Sequence, residues 1–260
     1  MLLAIDVGNT ETKLGFFVEA KGSLELRKTW RVTTVQPRTS DEFGILFAAL
    51  FRDAEISMGA VRDVVVSSVV PQSDRALEEG CHHSFGCSPR FFSAATQRLI
   101  EVRTERPKEL GSDLLAAAIA ARKAYGQPLV VVGFGTATTF GAISAKGEYL
   151  GVAIAPGIQI SIDALVERTA KLPQVALEAG DGPIGRDTVS ALQAGIVYGF
   201  VGQTEGIVAR MRAEIGAEAK IVATGGLADV VAKHTQVIDV VEPHLVLLGL
   251  REFHAAPGAG

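Results

Sequence analysis

Cysteine is scarce in this chain, with two residues in 260, which fits a reducing, cytoplasmic setting. Both lie in Cys81-His82-His83-Ser84-Phe85-Gly86-Cys87, whose thiols and imidazoles are the donor types of a tetrahedral zinc site. Adjacent His82 and His83 do not readily face one metal, and no flanking pair has a zinc-finger spacing, so a loop or helix end is the expected reading. Charge of one sign is missing too. Lys and Arg number 25 against 29 Asp and Glu, the net charge is −4, and no block of like charge occurs. Counterion release needs clustered Lys and Arg, so no nucleic-acid partner is expected. Long apolar runs are absent, those at residues 129–132 and 152–155 being short and broken by Gly, Pro or charge, so no transmembrane helix and no membrane association are expected. The first residues carry no basic flank or cleavage pattern, and no signal peptide is expected.

The chain does contain ample core material. Hydrophobic residues make up 48%, Gly numbers 28, and the mean hydropathy is positive at +0.28. A length of 260 residues accommodates two ordinary domains or one large one. The organising stretch is the opening, MLLAIDVGNTETKLG. An apolar run ends in Asp6, Gly8, Asn9 and Thr10 supply turn chemistry, and an apolar pattern resumes from Glu11, which predicts a β-hairpin. Gly8 lets backbone N–H groups approach an anion, Asn9, Thr10 and Thr12 offer small polar donors, and Lys13 adds positive charge, so the turn is a candidate phosphate cradle. Asp6 at the strand end is placed to hold a hydrated Mg²⁺ riding on the same phosphates. A bare Gly-Asn hairpin explains the stretch equally well.

Downstream, residues 23–35 read as a third strand, and Ser40 or Asp41 as the cap of a helix over 42–56. A buried strand at 62–70, a helix at 73–82 and a short strand at 89–92 follow. Three strands, helix, strand, helix is the order of a ribonuclease H-like half. GSDLLAAAIAARKAYG at 111–126 is the clearest helix, with Ser112 or Asp113 at its start and Gly126 at its end. Asp113 has an ordinary reading as a helix-start carboxylate and a functional one as a general base for a substrate hydroxyl.

A second strand–turn–strand, at 128–143, echoes the first. With Gly8 laid on Gly135, Asn9 meets Thr136, Thr12 meets Thr139, and Asp6 meets Gly133. The repeat predicts two similar α/β domains, 1–112 and 113–260, facing across a cleft for a nucleotide. Beyond it, residues 147–155 are expected to form a strand pair, 161–170 a helix capped by Ser161, and 178–183 a mobile loop. Residues 188–215 have helical periodicity with Gly195, Gly199, Gly202 and Gly206 along them, a loss of helix propensity that a close helix or subunit contact would offset. Gly225 and Gly226 end a strand where a flat ring could lie against backbone. A helix at 243–253 and a disordered tail at 255–260 close the chain.

Taken in order, DVGNT at 6–10, SSVVP at 67–71, RPKELGSD at 106–113, FGTATTF at 134–140, GVAIAPGIQISIDALVERTAKLP at 151–173, IGRDTVSALQAGIVYGFVGQTEGIV at 184–208, TGGLA at 224–228 and HLVLLGL at 244–250 resemble the type III pantothenate kinases. These belong to the sugar kinase, actin and heat-shock ATPase superfamily. The resemblance implies two ribonuclease H-like, actin-like ATPase domains and phosphoryl transfer from ATP to pantothenate, the first step of coenzyme A biosynthesis. It also implies a homodimer that uses Mg²⁺ together with K⁺ or NH₄⁺. Residue by residue, Asp6, Gly8, Asn9, Thr10, Thr12 and Lys13 fall on the ATP-phosphate segment, with Asp6 orienting Mg²⁺. Asp113 falls on the proton acceptor, Gly111, Ser112 and Leu114 on the substrate loop, Thr136 on an ATP contact and Thr188 on a pantothenate contact. Gly225 and Gly226 are expected beside adenine and ribose.

Four positions depart from the pattern. Leu114 replaces an arginine, Gly133 an aspartate that resembles a monovalent-cation ligand, Gly141 a second aspartate, and Thr104 a tyrosine. All four fall on the substrate and cation side, while the phosphate hairpin is intact. Two other readings therefore stay open: a nucleotide-binding or regulatory relative without turnover, and a kinase for another small hydroxylated acceptor.

Overall fold

The structure, a computed structural model, describes residues 1–169, 172–178 and 182–256. Residues 179–181 of the expected loop, 170 of the expected helix and 257–260 of the expected tail lie outside the described residues. The chain forms two compact units. One contains Met1–Ile100, Glu105–Ala120 and the C-terminal residues from Val246, and the other contains Glu101–Thr104 and Ala121–Leu245.

In chain order the elements are β1 (Leu2–Val7), β2 (Glu11–Ala20), β3 (Ser23–Thr33), α1 (Ser40–Asp53), β4 (Asp63–Ser68), α2 (Pro71–Phe85), β5 (Arg90–Phe91) and α3 (Ser112–Tyr125). Then follow β6 (Leu129–Phe134), β7 (Ala137–Ile143), β8 (Tyr149–Pro156), α4 (Ile158–Glu167), α5 (Thr188–Ile215), β9 (Lys220–Thr224), α6 (Ala228–Ala232), β10 (Val240–Val241) and α7 (Leu245–Ala255).

The first sheet has the order β3-β2-β1-β4-β5, with β1, β2 and β3 antiparallel and β4 and β5 parallel to β1. Side chains alternate across a strand, so each strand serves two faces. Leu3, Ile5 and Val7 of β1, Leu14 and Phe16 of β2 and Val64 and Val66 of β4 turn to the core shared with Phe43, Phe47 and Phe51 of α1 and Leu77 and Cys81 of α2. Trp30 stacks on Phe51 there, centroids 5.3 Å apart. The intervening residues face the other way, towards α3 and α7, where a Cβ on Gly15 would lie 3.1 Å from Leu247 Cδ1. α3 and α7 approach backbone to backbone, because a Cβ on Gly249 would collide with the Ala116 carbonyl.

The second sheet has the order β10-β9-β6-β7-β8, with β6, β7 and β8 antiparallel and β9 and β10 parallel to β6. That is the first topology again, β6 standing for β1 and β9 for β4. The expectation of a ribonuclease H-like fold used twice is met. Val130, Val132, Phe134 and Phe140 form its core with Phe200, Val201 and Val208 of α5.

Several local expectations are corrected. α1 is capped by Thr39, one residue before Ser40: its hydroxyl accepts from the Glu42 N–H at 3.3 Å and the Glu42 carboxylate accepts from the Thr39 N–H at 2.7 Å, a capping box. Residues 147–155 contribute one strand, β8, in place of a strand pair. α4 begins after Gly157, and Ser161 sits inside it, donating to the Gly157 carbonyl at 2.9 Å. The last helix runs two residues later than expected. Cys81 is buried in the core while His82 and His83 are exposed, so these side chains do not converge on a metal. No helix among the described residues is long and apolar enough to cross a membrane.

Candidate active site

The two faces of the opening hairpin divide its polar residues. Asp6 pairs in register with Lys13 on one side and with Ser67 of β4 on the other, and all three share the face that α3 covers. Thr12 belongs to the opposite, core-facing set with Leu14 and Phe16. At the turn, the Gly8 N–H donates to the Glu11 carbonyl at 3.0 Å, and a Cβ on Gly8 would stand 2.9 Å from that oxygen, so glycine is required by close approach. The Thr34 hydroxyl donates to the Gly8 carbonyl at 2.8 Å. Having one hydrogen, it must accept from Thr12, whose hydroxyl lies 2.9 Å away. Thr12 thus directs its hydrogen at Thr34 and braces the turn from the core side, while Asn9 and Thr10 lie exposed at the tip.

Asp6 is only 7% exposed, and burial, followed by the neighbouring charge of Asp113, pushes its carboxyl up to about 7; Lys13 and a hydrogen bond with Ser67 oppose the rise. Asp113 is raised as well, chiefly by burial, against backbone N–H bonds from Leu114 and from Asp113 itself and the charge of Lys13. Its Oδ1 lies over Gly111, 2.6 Å from where a Cβ would stand, so residue 111 has to be glycine for the carboxylate to fold back there. Gly111, Ser112 and Leu114 are its immediate neighbours at the start of α3. Two desolvated carboxylates beside one lysine form a site with unmet demand for a cation. Among the described residues no group of three or more His, Cys, Asp or Glu could hold a metal, so a divalent ion at Asp6 would draw most of its ligands from water and phosphate oxygens, a pattern that suits Mg²⁺.

Within the second unit, the hairpin of β6 and β7 corrects the simple overlay of the two copies. Val7 pairs with Thr12 across residues 8–11, but Phe134 pairs with Thr138 across 135–137, a turn one residue shorter. Thr139 therefore faces Gly133 as Lys13 faces Asp6, and Thr12 is not its counterpart. Gly133 and Thr139 replace a charged pair with neutral groups, and a Cβ on Gly133 would lie 2.6 Å from Thr139 Oγ1. At Gly141 a Cβ would lie 2.9 Å from Oη of the buried Tyr149. Neither Gly133 nor Gly141 offers a carboxylate to a monovalent cation here.

Thr136 is exposed at the tip of the second turn, and its carbonyl closes on Gly157, where any Cβ would collide. Gly225 has φ +102°, and its missing Cβ would collide with the Phe134 carbonyl, so this glycine is demanded by the neighbouring strand. Gly226 beside it is exposed. Thr188 is the exposed first residue of α5, behind an Asp187 cap that accepts from the Ser190 N–H at 3.0 Å. The Thr104 hydroxyl is buried with no hydrogen-bond partner among the described residues.

The structure thus brings Asp6, Lys13 and Asp113 together in the first unit and places Thr136, Thr188, Gly225 and Gly226 in the second. Sequence reading missed two supporting groups, Thr34 and Ser67. Register was the only signal for either: Ser67 sits level with Asp6 on an adjacent strand, and Thr34 follows β3 at the level of the turn.

A family model for the type III pantothenate kinases matches residues 2–210. A type III pantothenate kinase of Anaeromyxobacter dehalogenans is 47% identical over 254 residues, covering 98% of both chains. One from Moorella thermoacetica is 46% identical over 251 residues, covering 96% of this chain and 97% of the relative. Among solved structures, the (R)-2-hydroxyglutaryl-CoA dehydratase component A of Acidaminococcus fermentans aligns over 96% of this chain and 94% of its own with a TM-score of 0.55 at 14% identity, a likeness of fold alone.

Proposed function

The chain belongs to the type III pantothenate kinase family, and from that premise we propose that its first unit carries the reacting groups, Asp6, Lys13 and Asp113. The activity is ATP-dependent phosphorylation of pantothenate in coenzyme A biosynthesis. Phosphoryl transfer asks for an in-line hydroxyl, neutralised phosphate charge and a group that takes or directs the proton. Asp113 is the base: burial raises its affinity for a proton, and Gly111 leaves room for the carboxylate to fold back over the start of α3. The exposed tip, Gly8 to Thr10, offers backbone to the phosphates, Thr12 holds that tip in shape through Thr34, and Lys13 supplies positive charge. Bound at Asp6, Mg²⁺ would supply charge neutralisation for the transferring phosphoryl group.

Thr136, Gly225 and Gly226 are assigned to the nucleotide, and Gly111, Ser112, Leu114 and Thr188 to pantothenate, from their positions in the family motifs. No monovalent-cation site is assigned, because Gly133 and Gly141 provide no carboxylate. A homodimer is assigned on α5. Gly195, Gly199 and Gly202 are exposed on it, and beyond the helix's own neighbouring backbone no described atom lies within 4 Å of their missing Cβ positions. Alongside them, Leu165, Ala191, Leu192, Ile196 and Phe200 line an open cavity of about 510 Å³. The cost of glycine in a helix, about 1 kcal/mol each, is offset when a second helix packs closely on that stripe. The reduced thiols fit a cytoplasmic enzyme.

The observation that carries the assignment of roles is the shared burial of Asp6 and Asp113 beside Lys13. A coupled ADP-release assay with ATP, Mg²⁺ and pantothenate tests it. Turnover that depends on pantothenate is expected; ATP binding by calorimetry without turnover would contradict it.

A further inference from the structure

The SSVVP stretch has no part in the chemistry above, yet its first serine lies in the middle of the site. Ser67 is fully buried, in register with Asp6 on the neighbouring strand, and its hydroxyl hydrogen-bonds the Asp6 carboxyl. On its other side Ser67 Oγ lies 2.9 Å from Ser112 Oγ, a buried pair joining β4 to the first residue of α3. Ser67 has one hydrogen, which it gives to the Asp6 carboxylate, so Ser112 is the donor in the hydroxyl pair and shares its hydrogen with the Ser68 carbonyl at 3.2 Å. A continuous chain therefore runs from Asp6 through Ser67 and Ser112 to the Ser68 backbone, and Asp113 is the next residue after Ser112.

We propose that Ser67 is a positioning residue, and that the Ser67–Ser112 hydroxyl bridge sets the distance between the Asp6 strand end and the helix start that presents Asp113. The inference rests on the kinase reading of this site and adds to it a tie between its two carboxylates. The hydroxyl bridge and the Ser112 bond to the Ser68 carbonyl together tie β4 to the start of α3. Both oxygens are inside the protein, which assigns the Ser112 side chain to the scaffold and leaves its backbone to the substrate loop. Neither hydroxyl needs to touch a substrate. Their effect is on the geometry in which the proton acceptor meets the reacting hydroxyl, where an error of about 1 Å costs on the order of 100-fold in rate.

The test compares Ser67→Ala, Ser112→Ala, the double variant and Ser112→Thr. Each alanine variant is expected to lower kcat by about 10- to 100-fold while KM for ATP and for pantothenate stays within about threefold. The double variant should be no worse than the poorer single one, because either change already cuts the bridge. Ser112→Thr, which keeps a hydroxyl at the helix start, should recover part of the kcat that Ser112→Ala loses. Multiplicative losses in the double variant, or a Ser112→Ala effect confined to KM for pantothenate, would overturn the proposal. A double-mutant cycle on unfolding by urea reads the bridge without reference to turnover, and additive changes there count against it. Loss of the kinase reading itself is seen separately, as absent turnover in the wild type.

Discussion

Gly133 lies opposite Thr139 across the second hairpin, with the Thr139 hydroxyl oxygen 2.6 Å from the position a Gly133 Cβ would take. The site that would face a monovalent cation is thus uncharged and partly filled. Initial rates in saturating ATP, Mg²⁺ and pantothenate are expected to agree within about twofold between K⁺ and Na⁺ at equal ionic strength. Activation by K⁺ of tenfold or more would contradict this reading of the second hairpin.

Asp6 makes the ligand-free protein pay in stability for its site. Its folded-state pKa is raised from 3.8 to about 7, so its favourable contribution is complete below pH 4 and is lost as pH rises towards 7. A shift of this size corresponds to about 4 kcal/mol at its upper limit. Asp6→Asn removes the charge and the pH dependence together. Urea denaturation at pH 8 without Mg²⁺ should find the variant more stable than wild type by about 1–4 kcal/mol, with the difference shrinking at pH 4.5. A less stable variant at pH 8 would show that Asp6 is not held at a cost.

Thr34→Val removes the donor to the Gly8 carbonyl and leaves Thr12 without its acceptor. The loss should be about 1–3 kcal/mol, a fall in melting temperature of several degrees, accompanied by a raised KM for ATP as the phosphate turn loosens. An unchanged KM alongside the lowered stability would confine Thr34 to a purely structural part.

The fold was legible because the two sheets repeat one pattern of apolar alternation and the two turns share glycine and threonine chemistry. The hairpin strands, the long helix at 112–125 and the glycine that ends it, with φ +82° at Gly126, all follow from local composition. What stayed hidden depends on register. Laying the copies together without a gap paired Thr12 with Thr139, and only the strand pairing shows the second turn to be one residue shorter, with Thr139 in the place of Lys13. Thr12 looked like a phosphate donor, but alternation sends it to the core face, and Thr34, distant in sequence, takes its hydrogen. Gly225 read as room for a ring, whereas the Phe134 carbonyl already demands glycine there. Caps misled by a residue or a turn, as at Thr39 and Gly157, because several adjacent residues could accept the same N–H.

That demand at Gly225 gives a prediction of its own. Gly225→Ala combines a strained φ of +102° with a clash against backbone, and neither can relax by rotating a side chain. Thermal unfolding should fall by an amount equivalent to more than about 2 kcal/mol, and added ATP should not restore it. A variant of wild-type stability with weakened ATP binding would instead make Gly225 a nucleotide contact alone.

Asp113→Asn, assayed by coupled ADP release with pantothenate, ATP and Mg²⁺, tests the assignment of the reacting groups most directly. The substitution keeps the shape of the side chain beside Gly111 and removes its capacity to accept a proton. The expected result is a fall in kcat of about 10²- to 10⁴-fold with ATP affinity by calorimetry unchanged. Wild-type kcat in Asp113→Asn would contradict the account.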